Sequence, residues 1–314
     1  MFTLAHLSDL HVTPIHIRRF ASLSLKQSLG WLKWALQRSK QHRPEVLNVL
    51  VADLQTQQPD HVVVTGDLTN LGLEEEFPAA AGWLQRIGDG QDVSIVPGNH
   101  DAYVSIPGTS SWSCWTEYMA SDTPECTSAS SQNGYGGGVD FPSLRVRGSV
   151  ALIGVSSARP VGLFRANGQV GVQQLEKLES LLGRLAGSGL CRVVLIHHPP
   201  TEEGLAEHRR LIDAAALREV LKRTGADLVL HGHTHRTTVS SIPGPIGPIP
   251  VVGVRSASDI GHRPNRGAQY HLYRIERRAG QRDAYRFNIA MTTHSYNEKC
   301  GLFLRDGEQE ILPV

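Results

Sequence analysis

Five short polar clusters punctuate the first 235 residues: Asp9-Leu10-His11, Gly66-Asp67, Gly98-Asn99-His100-Asp101, His197-His198 and Gly232-His233-Thr234-His235. Taken singly, each has an ordinary explanation as a helix cap, a turn or a satisfied polar group. Together they supply carboxylate oxygen, imidazole nitrogen and amide oxygen. That donor mixture suits Zn, Fe, Mn or Co better than calcium or a thiolate-bound metal. Alternate residues of an extended chain share a face, so Asp9 can aim with His11, and His233 with His235. Seven such ligands exceed the needs of one tetrahedral ion; two ions sharing a bridging carboxylate would use them all.

The elements around the clusters position them. Apolar, β-branched runs predict strands at 2–8, 61–65, 92–97, 150–155, 191–197 and 226–231, and each cluster falls at or just after one of these runs. Apolar residues at three- and four-residue spacing predict helices at 22–40, 45–57, 74–87, 171–186 and 213–223. This alternation predicts an α/β protein with helices covering the strands. Ligands bind at the carboxyl ends of strands in open α/β sheets, because loops from several strands converge there. From 241 to 314 the chain is β-rich, with strand-like runs near 251–255, 268–276 and 284–291 that read as mainly antiparallel strands closing the same domain. A Gly/Ser-rich loop occupies 121–138. The whole of 1–314 is expected to be one domain with a helical insert at 14–43.

The clusters, in this order and spacing, resemble the calcineurin-like metallophosphoesterase superfamily. Ser8-Asp9-Leu10-His11, Thr65-Gly66-Asp67-Leu68-Thr69, Pro97-Gly98-Asn99-His100-Asp101 and His197-His198-Pro199-Pro200 are most similar to its class III cyclic-nucleotide phosphodiesterase and glycerophosphodiesterase branch. The resemblance implies a four-layer α/β/β/α sandwich of two mixed sheets flanked by helices, with a dimetal site at the strand C-terminal ends. It implies that Asp9, His11 and His235 bind one ion, that Asn99, His197 and His233 bind the other, and that Asp67 bridges them. His100 would then hydrogen-bond the substrate phosphate or protonate the leaving oxygen, helped by the Asn99 amide and by Asp101, which would orient His100. His198 is expected to face away as a packing or substrate-side residue. A water shared by the ions, its pKa lowered from about 15.7 toward ~7, is the implied nucleophile. The chain has neither a G-x-S-x-G nor a P-loop sequence. No ligand is missing, which argues against a non-catalytic scaffold of the same fold.

Composition narrows the partners. Lys+Arg 31 against Asp+Glu 30 gives no basic excess for dedicated nucleic-acid binding. No run approaches the ~20 apolar residues of a membrane span, and the N-terminus shows no secretory pattern. The expectation is a cytoplasmic hydrolase of a phosphodiester, whether cyclic nucleotide-like, glycerophospho- or lipid-linked. Cys114, Cys126, Cys191 and Cys300 read as reduced thiols. Residues 16–40 are the segment most able to choose a substrate. Leu25, Leu29, Leu32 and Leu36 form a helical stripe flanked by Trp31, Trp34, Lys26, Lys33, Arg38 and Lys40. One reading is a docked helix whose tryptophans complete a core. The other is a lid for a lipid-linked phosphate or for peripheral contact with the inner membrane face, which raises cleavage of a nucleotide-diphosphate-linked lipid as the alternative activity. Trp112, Trp115 and Tyr118 are read as a surface loop, or as a wall facing this lid.

Overall fold

The structure, a computed structural model, describes residues 1–311 apart from 16, 18–19, 106–111, 123–138, 202–203, 262–264 and 279–285. In chain order the strands are β1 (Phe2–Leu7), β2 (His61–Val64), β3 (Val93–Ile95), β4 (Ser143–Arg147), β5 (Val150–Gly154), β6 (Cys191–Leu195), β7 (Leu228–His231), β8 (Thr238–Ile242), β9 (Ile249–Gly253), β10 (Gln269–Arg277), β11 (Phe287–Asn297) and β12 (Leu302–Glu310). The helices are α1 (Leu25–Lys33), α2 (Ser39–Gln41), α3 (Pro44–Gln57), α4 (Glu76–Ile87), α5 (Thr116–Met119), α6 (Val172–Leu185) and α7 (Ala214–Thr224).

Strand alternation generates the layers. On β1, Phe2 and Leu4 point into one apolar cluster, and Ala5 and Leu7 into another. The first cluster lies between two six-stranded sheets, ordered β12-β11-β10-β1-β2-β3 and β4-β5-β6-β7-β9-β8. Each sheet is mixed, with parallel pairs β1–β2–β3 in one and β5–β6–β7–β9 in the other. Outside the first sheet, α3 buries Val46, Leu47, Leu50 and Leu54 at helical spacing, starting at Pro44 and stopping at the left-handed Gln58. Outside the second, α6 and α7 bury Leu175, Leu178, Leu182, Leu217 and Leu221. Truncating such a leucine to Ala removes ~2–5 kcal/mol. The result is the expected two mixed sheets flanked by helices. The antiparallel run β10–β11–β12 extends the first sheet beyond β1, so the C-terminal strands complete a layer.

The helical insert is docked on one face only. Ser24 and Gln27 form a capping box at α1. Trp31 and Trp34 pack on Ile15, Leu71 and Leu73, and the Lys26 ammonium donates to the carbonyls of Tyr103 and Val161. Gly30 permits this approach, because a Cβ there would stand 2.7 Å from Leu71. The leucine stripe turns outward: Leu25, Leu29, Leu32 and Leu36 are 68%, 42%, 51% and 66% exposed. The tryptophans dock as in the first of the two readings, while the leucines belong to no core. His16, Arg18 and Arg19 lie outside the described residues, as does 123–138 of the Gly/Ser-rich loop. Trp112, Trp115 and Tyr118 correct an expectation. They are buried under Phe77 and Leu84 rather than on the surface, with the Trp112 and Trp115 indole N–H groups donating to the Asp101 and Phe77 carbonyls. Cys114, Cys191 and Cys300 are free thiols; Cys126 lies outside the described residues.

Candidate metal centre

Every predicted cluster leaves the C-terminal end of a strand. Asp9 and His11 follow β1, Asp67 follows β2, Asn99, His100 and Asp101 follow β3, His197 and His198 follow β6, and His233 and His235 follow β7. Five of these residues adopt left-handed backbone: Asp9 (φ 54°), His11 (42°), Asp67 (56°), His233 (66°) and His235 (51°). Such strain costs of order 1 kcal/mol per residue and collects where geometry serves function. Cross-loop hydrogen bonds hold it, from Asp9 N to Gly66 O at 2.9 Å and from His11 N to Asp67 O at 3.0 Å. The two sheets meet where His233 N donates to Asp9 Oδ2 at 3.0 Å. Gly232 allows that meeting, since a Cβ there would lie 2.6 Å from Asp9 Oδ2.

Ligand atoms of Asp9, His11 and Asp67 lie within 4.8 Å of one another, and so do those of His197, His198 and His233. Backbone carbonyls select the free ring nitrogens. His11 Nδ1 donates to Thr69 O at 3.0 Å, and His197 Nδ1 to Thr65 O at 2.6 Å, so each turns Nε2 inward. His233 donates Nε2–H to Arg209 O at 2.9 Å and keeps Nδ1 for the site. Asp67 Oδ2 sits between the two groups, 3.3 Å from His197 Nε2 and 4.0 Å from His11 Nε2. Asn99 Oδ1 is 3.2 Å from His197 Nε2, and Asp9 Oδ1 is 3.0 Å from His235 Nε2. His11 Nε2 faces His235 Nε2 at 3.4 Å. Electron-rich atoms converging this closely want positive charge among them. Burial opposes a charge on His197, yet the adjacent Asp67 carboxylate raises its pKa to about 9, the mark of a place that favours positive charge. Burial, then Arg38 and His42, holds His11 well below the usual histidine range, neutral as ligation requires. The donor set therefore fits two transition-metal ions. His198 does not join it: Ser157 Oγ at 2.8 Å and Ala166 O at 3.1 Å occupy both its nitrogens.

The ring of His100 is oriented by groups other than the expected Asp101. Its Nδ1 donates to the Asn70 carbonyl, and its Nε2 accepts from Arg38 Nη1 at 3.0 Å. Asp101 instead pins the loop backbone, accepting from Thr69 N and Gly98 N at 2.9 Å each. Asn70 is held in turn by buried Glu76, whose carboxylate accepts from Asn70 N (2.7 Å), Leu71 N (2.9 Å) and Leu73 N (3.0 Å). Burial and then Arg38 push His100 down to about 4.

A cavity of about 460 Å³ opens over these groups. Lys26, Lys33, Arg38, Arg165 and Arg209 line it, and Asp67 is its sole acid among the described residues. Leu29, Trp34, Leu163 and Phe164 form its apolar wall, with Phe164 86% exposed at φ 58°. Sequence reading placed Arg38 only on the flank of a helix and passed over His42, Arg209 and Phe164. The π-helical turn Trp34–Arg38, which ends on Arg38, leaves no local signature.

Comparison with known proteins agrees with this geometry. A probable cyclic nucleotide phosphodiesterase of Rhodococcus erythropolis is 27% identical over 245 residues, 77% of this chain and 67% of that protein. A cAMP/cGMP dual specificity phosphodiesterase of Mycobacterium tuberculosis is 23% identical over 247 residues, 77% of this chain and 64% of its own length. Among solved structures, a dimetal phosphatase from Danio rerio superposes with TM-score 0.57 at 13% identity, covering 100% of this chain and 99% of that one. A purple acid phosphatase from yellow lupin (Lupinus luteus) seeds gives TM-score 0.55 at 12% identity over 97% of this chain and 52% of its own. These two likenesses speak to the fold. The calcineurin-like phosphoesterase family profile matches residues 2–237, and the chain belongs to that family of phosphoesterase enzymes.

Proposed function

We propose that the chain hydrolyses a phosphodiester with two bound metal ions, Asp9, His11 and His235 holding one, Asn99, His197 and His233 the other, and Asp67 shared. The observation that carries this reading is the position of Asp67 Oδ2 between His197 and His11. When bound, the ions supply Lewis-acid polarisation of the phosphoryl group and an acidified water. The remaining chemistry belongs to the protein. Arg38 and Arg209 present charge to the phosphate in a cavity otherwise poor in acids. Anionic phosphate is a stronger partner for the Arg38 guanidinium than a neutral ring. Its arrival frees His100 Nε2 to hold a proton for the phosphate or the leaving oxygen, while Asn70 O keeps the ring in place. The curated relatives, both phosphodiesterases by name, favour a diester.

The test is a panel of a cyclic nucleotide, a glycerophosphodiester, a phosphomonoester and a nucleotide-diphosphate-linked lipid, run on protein stripped of metal and reloaded with Mn, Fe, Co or Zn. Diesters should be cleaved best and only by reloaded protein; preference for the monoester would contradict the reading. The exposed leucines of α1 favour a second reading, cleavage of the pyrophosphate of a nucleotide-diphosphate-linked lipid, with residues 16–40 meeting the acyl chains or the membrane face. No helix among the described residues is long and apolar enough to cross a membrane.

A further inference from the structure

We infer that His42, at the end of the helical insert, is a further protein ligand to the ion assigned to Asp9, His11 and His235; the inference rests on the dinuclear reading above. His42 is 1% exposed. Its ring centroid lies 4.6 Å from that of His11 and 5.9 Å from that of His235. Ligand atoms of the three histidines fall within 4.8 Å of one another. Its Nδ1 is engaged with Ser258 Oγ at 2.8 Å, while its Nε2 is buried with no hydrogen-bond partner. An imidazole tethered through one nitrogen, with the other bare inside a ligand cluster, is the form in which histidine coordinates metal. His61 also keeps a bare buried nitrogen but belongs to no such cluster.

The surroundings hold this orientation. Ser256 Oγ donates to Asp9 O at 2.6 Å, and Ser258 N donates to Ser256 Oγ at 3.3 Å, tying the Ser258 loop to the Asp9 ligand. Arg43 N donates to Ser258 O at 3.0 Å, and Thr13 Oγ1 to His42 O at 3.1 Å. His42 therefore sits on a backbone coupled to both the first-strand loop and the insert. With it, the first ion has three imidazoles, His11, His42 and His235, against two imidazoles and an amide at the second. That makes the first site the richer in nitrogen and the more selective for Co or Zn over Mn.

Stripped protein titrated with Co²⁺ tests this. Wild type should bind two ions, the first more tightly, and its proton NMR spectrum in H₂O should show hyperfine-shifted imidazole N–H signals. His42→Ala should weaken the tighter site by at least 10–100-fold, the range for lost support of a ligand, and should lose one shifted N–H signal. Ser258→Ala should retain that signal and weaken the site less, providing a reading if His42→Ala folds poorly. Unchanged affinity and an unchanged spectrum in His42→Ala would overturn the inference while leaving the dinuclear reading intact. Weakened binding with every shifted signal retained would also overturn it, making His42 a positioning residue. Wild type that binds no Co²⁺ would overturn both.

Discussion

The strand-end loops and the helical insert reach the same cavity by different physical routes. The loops are fixed from within: left-handed residues, backbone carbonyls on ring nitrogens and a glycine between the sheets leave each donor essentially one direction. The insert is fixed from outside, by two tryptophans, the Lys26 ammonium and a capping box, and its opposite face remains apolar and exposed. A site built in this way joins a rigid floor of strand-end donors to a roof held by side-chain packing. Arg38 and His42 mark where the two routes meet, since both come from the insert and both touch loop histidines.

Substitutions can separate floor from roof. His100→Ala should lower turnover by roughly 10²–10⁴-fold, the range for a proton-transfer group, with metal content preserved. Metal loss measured by mass spectrometry would instead make His100 a ligand. Arg38→Ala should cost about 10²–10³ in kcat/KM, comparable to removing one preorganised donor. Arg38→Lys should recover only part of it, because a point charge cannot reproduce the forked guanidinium. Equal losses in Arg38→Ala and His100→Ala, without further loss in the double variant, would show that the pair acts as one unit.

Legibility in the sequence followed the same division. The floor was readable because carboxylate, imidazole and amide donors recur after β1, β2, β3, β6 and β7, and these strands announce themselves by short apolar runs. The strands β4, β8 and β12 were not predicted; β12 is largely exposed and alternates poorly, and β4 pairs on an edge. The tryptophans at 112 and 115 and the tyrosine at 118 were misplaced because burial under α4 depends on tertiary packing that no local pattern reports. The family resemblance implied that Asp101 orients the His100 ring. In the fold its carboxylate meets two backbone N–H groups, and the Asn70 carbonyl does the orienting from 30 residues away in sequence. Nothing near His42 or Arg38 distinguishes them from a solvated basic helix end.

Acid should destabilise the native protein through its buried strand and loop histidines. Burial, before any other cause, depresses His198 and His271 to about 3 and His231 to about 4. The native protein keeps them neutral, while the unfolded chain takes up protons below about pH 6.5. Stability should therefore be full above that pH and fall by up to about 1.4 kcal/mol per pH unit for each such histidine as pH drops toward their native values. Denaturant melts from pH 7 to 4 check this, and a flat profile would refute it. The smallest effect belongs to the roof. Leu25→Ala with Leu32→Ala should change stability by no more than about 0.5 kcal/mol, as exposed positions do, and spare a small diester. If the insert binds acyl chains, the same double variant should depress cleavage of a nucleotide-diphosphate-linked lipid. An unchanged ratio of the two activities would end the lipid reading.

The central claim is that one carboxylate joins two metal sites across the sheets, and metal analysis of Asp67→Ala beside wild type tests it most directly. Elemental analysis after reloading should find two ions per wild-type chain, and anomalous diffraction should place Asp67 against both. Asp67→Ala should lose affinity at both sites together while remaining folded. A wild-type crystal with one ion and Asp67 turned away from it, or a variant that keeps two ions at undiminished affinity, would contradict the account.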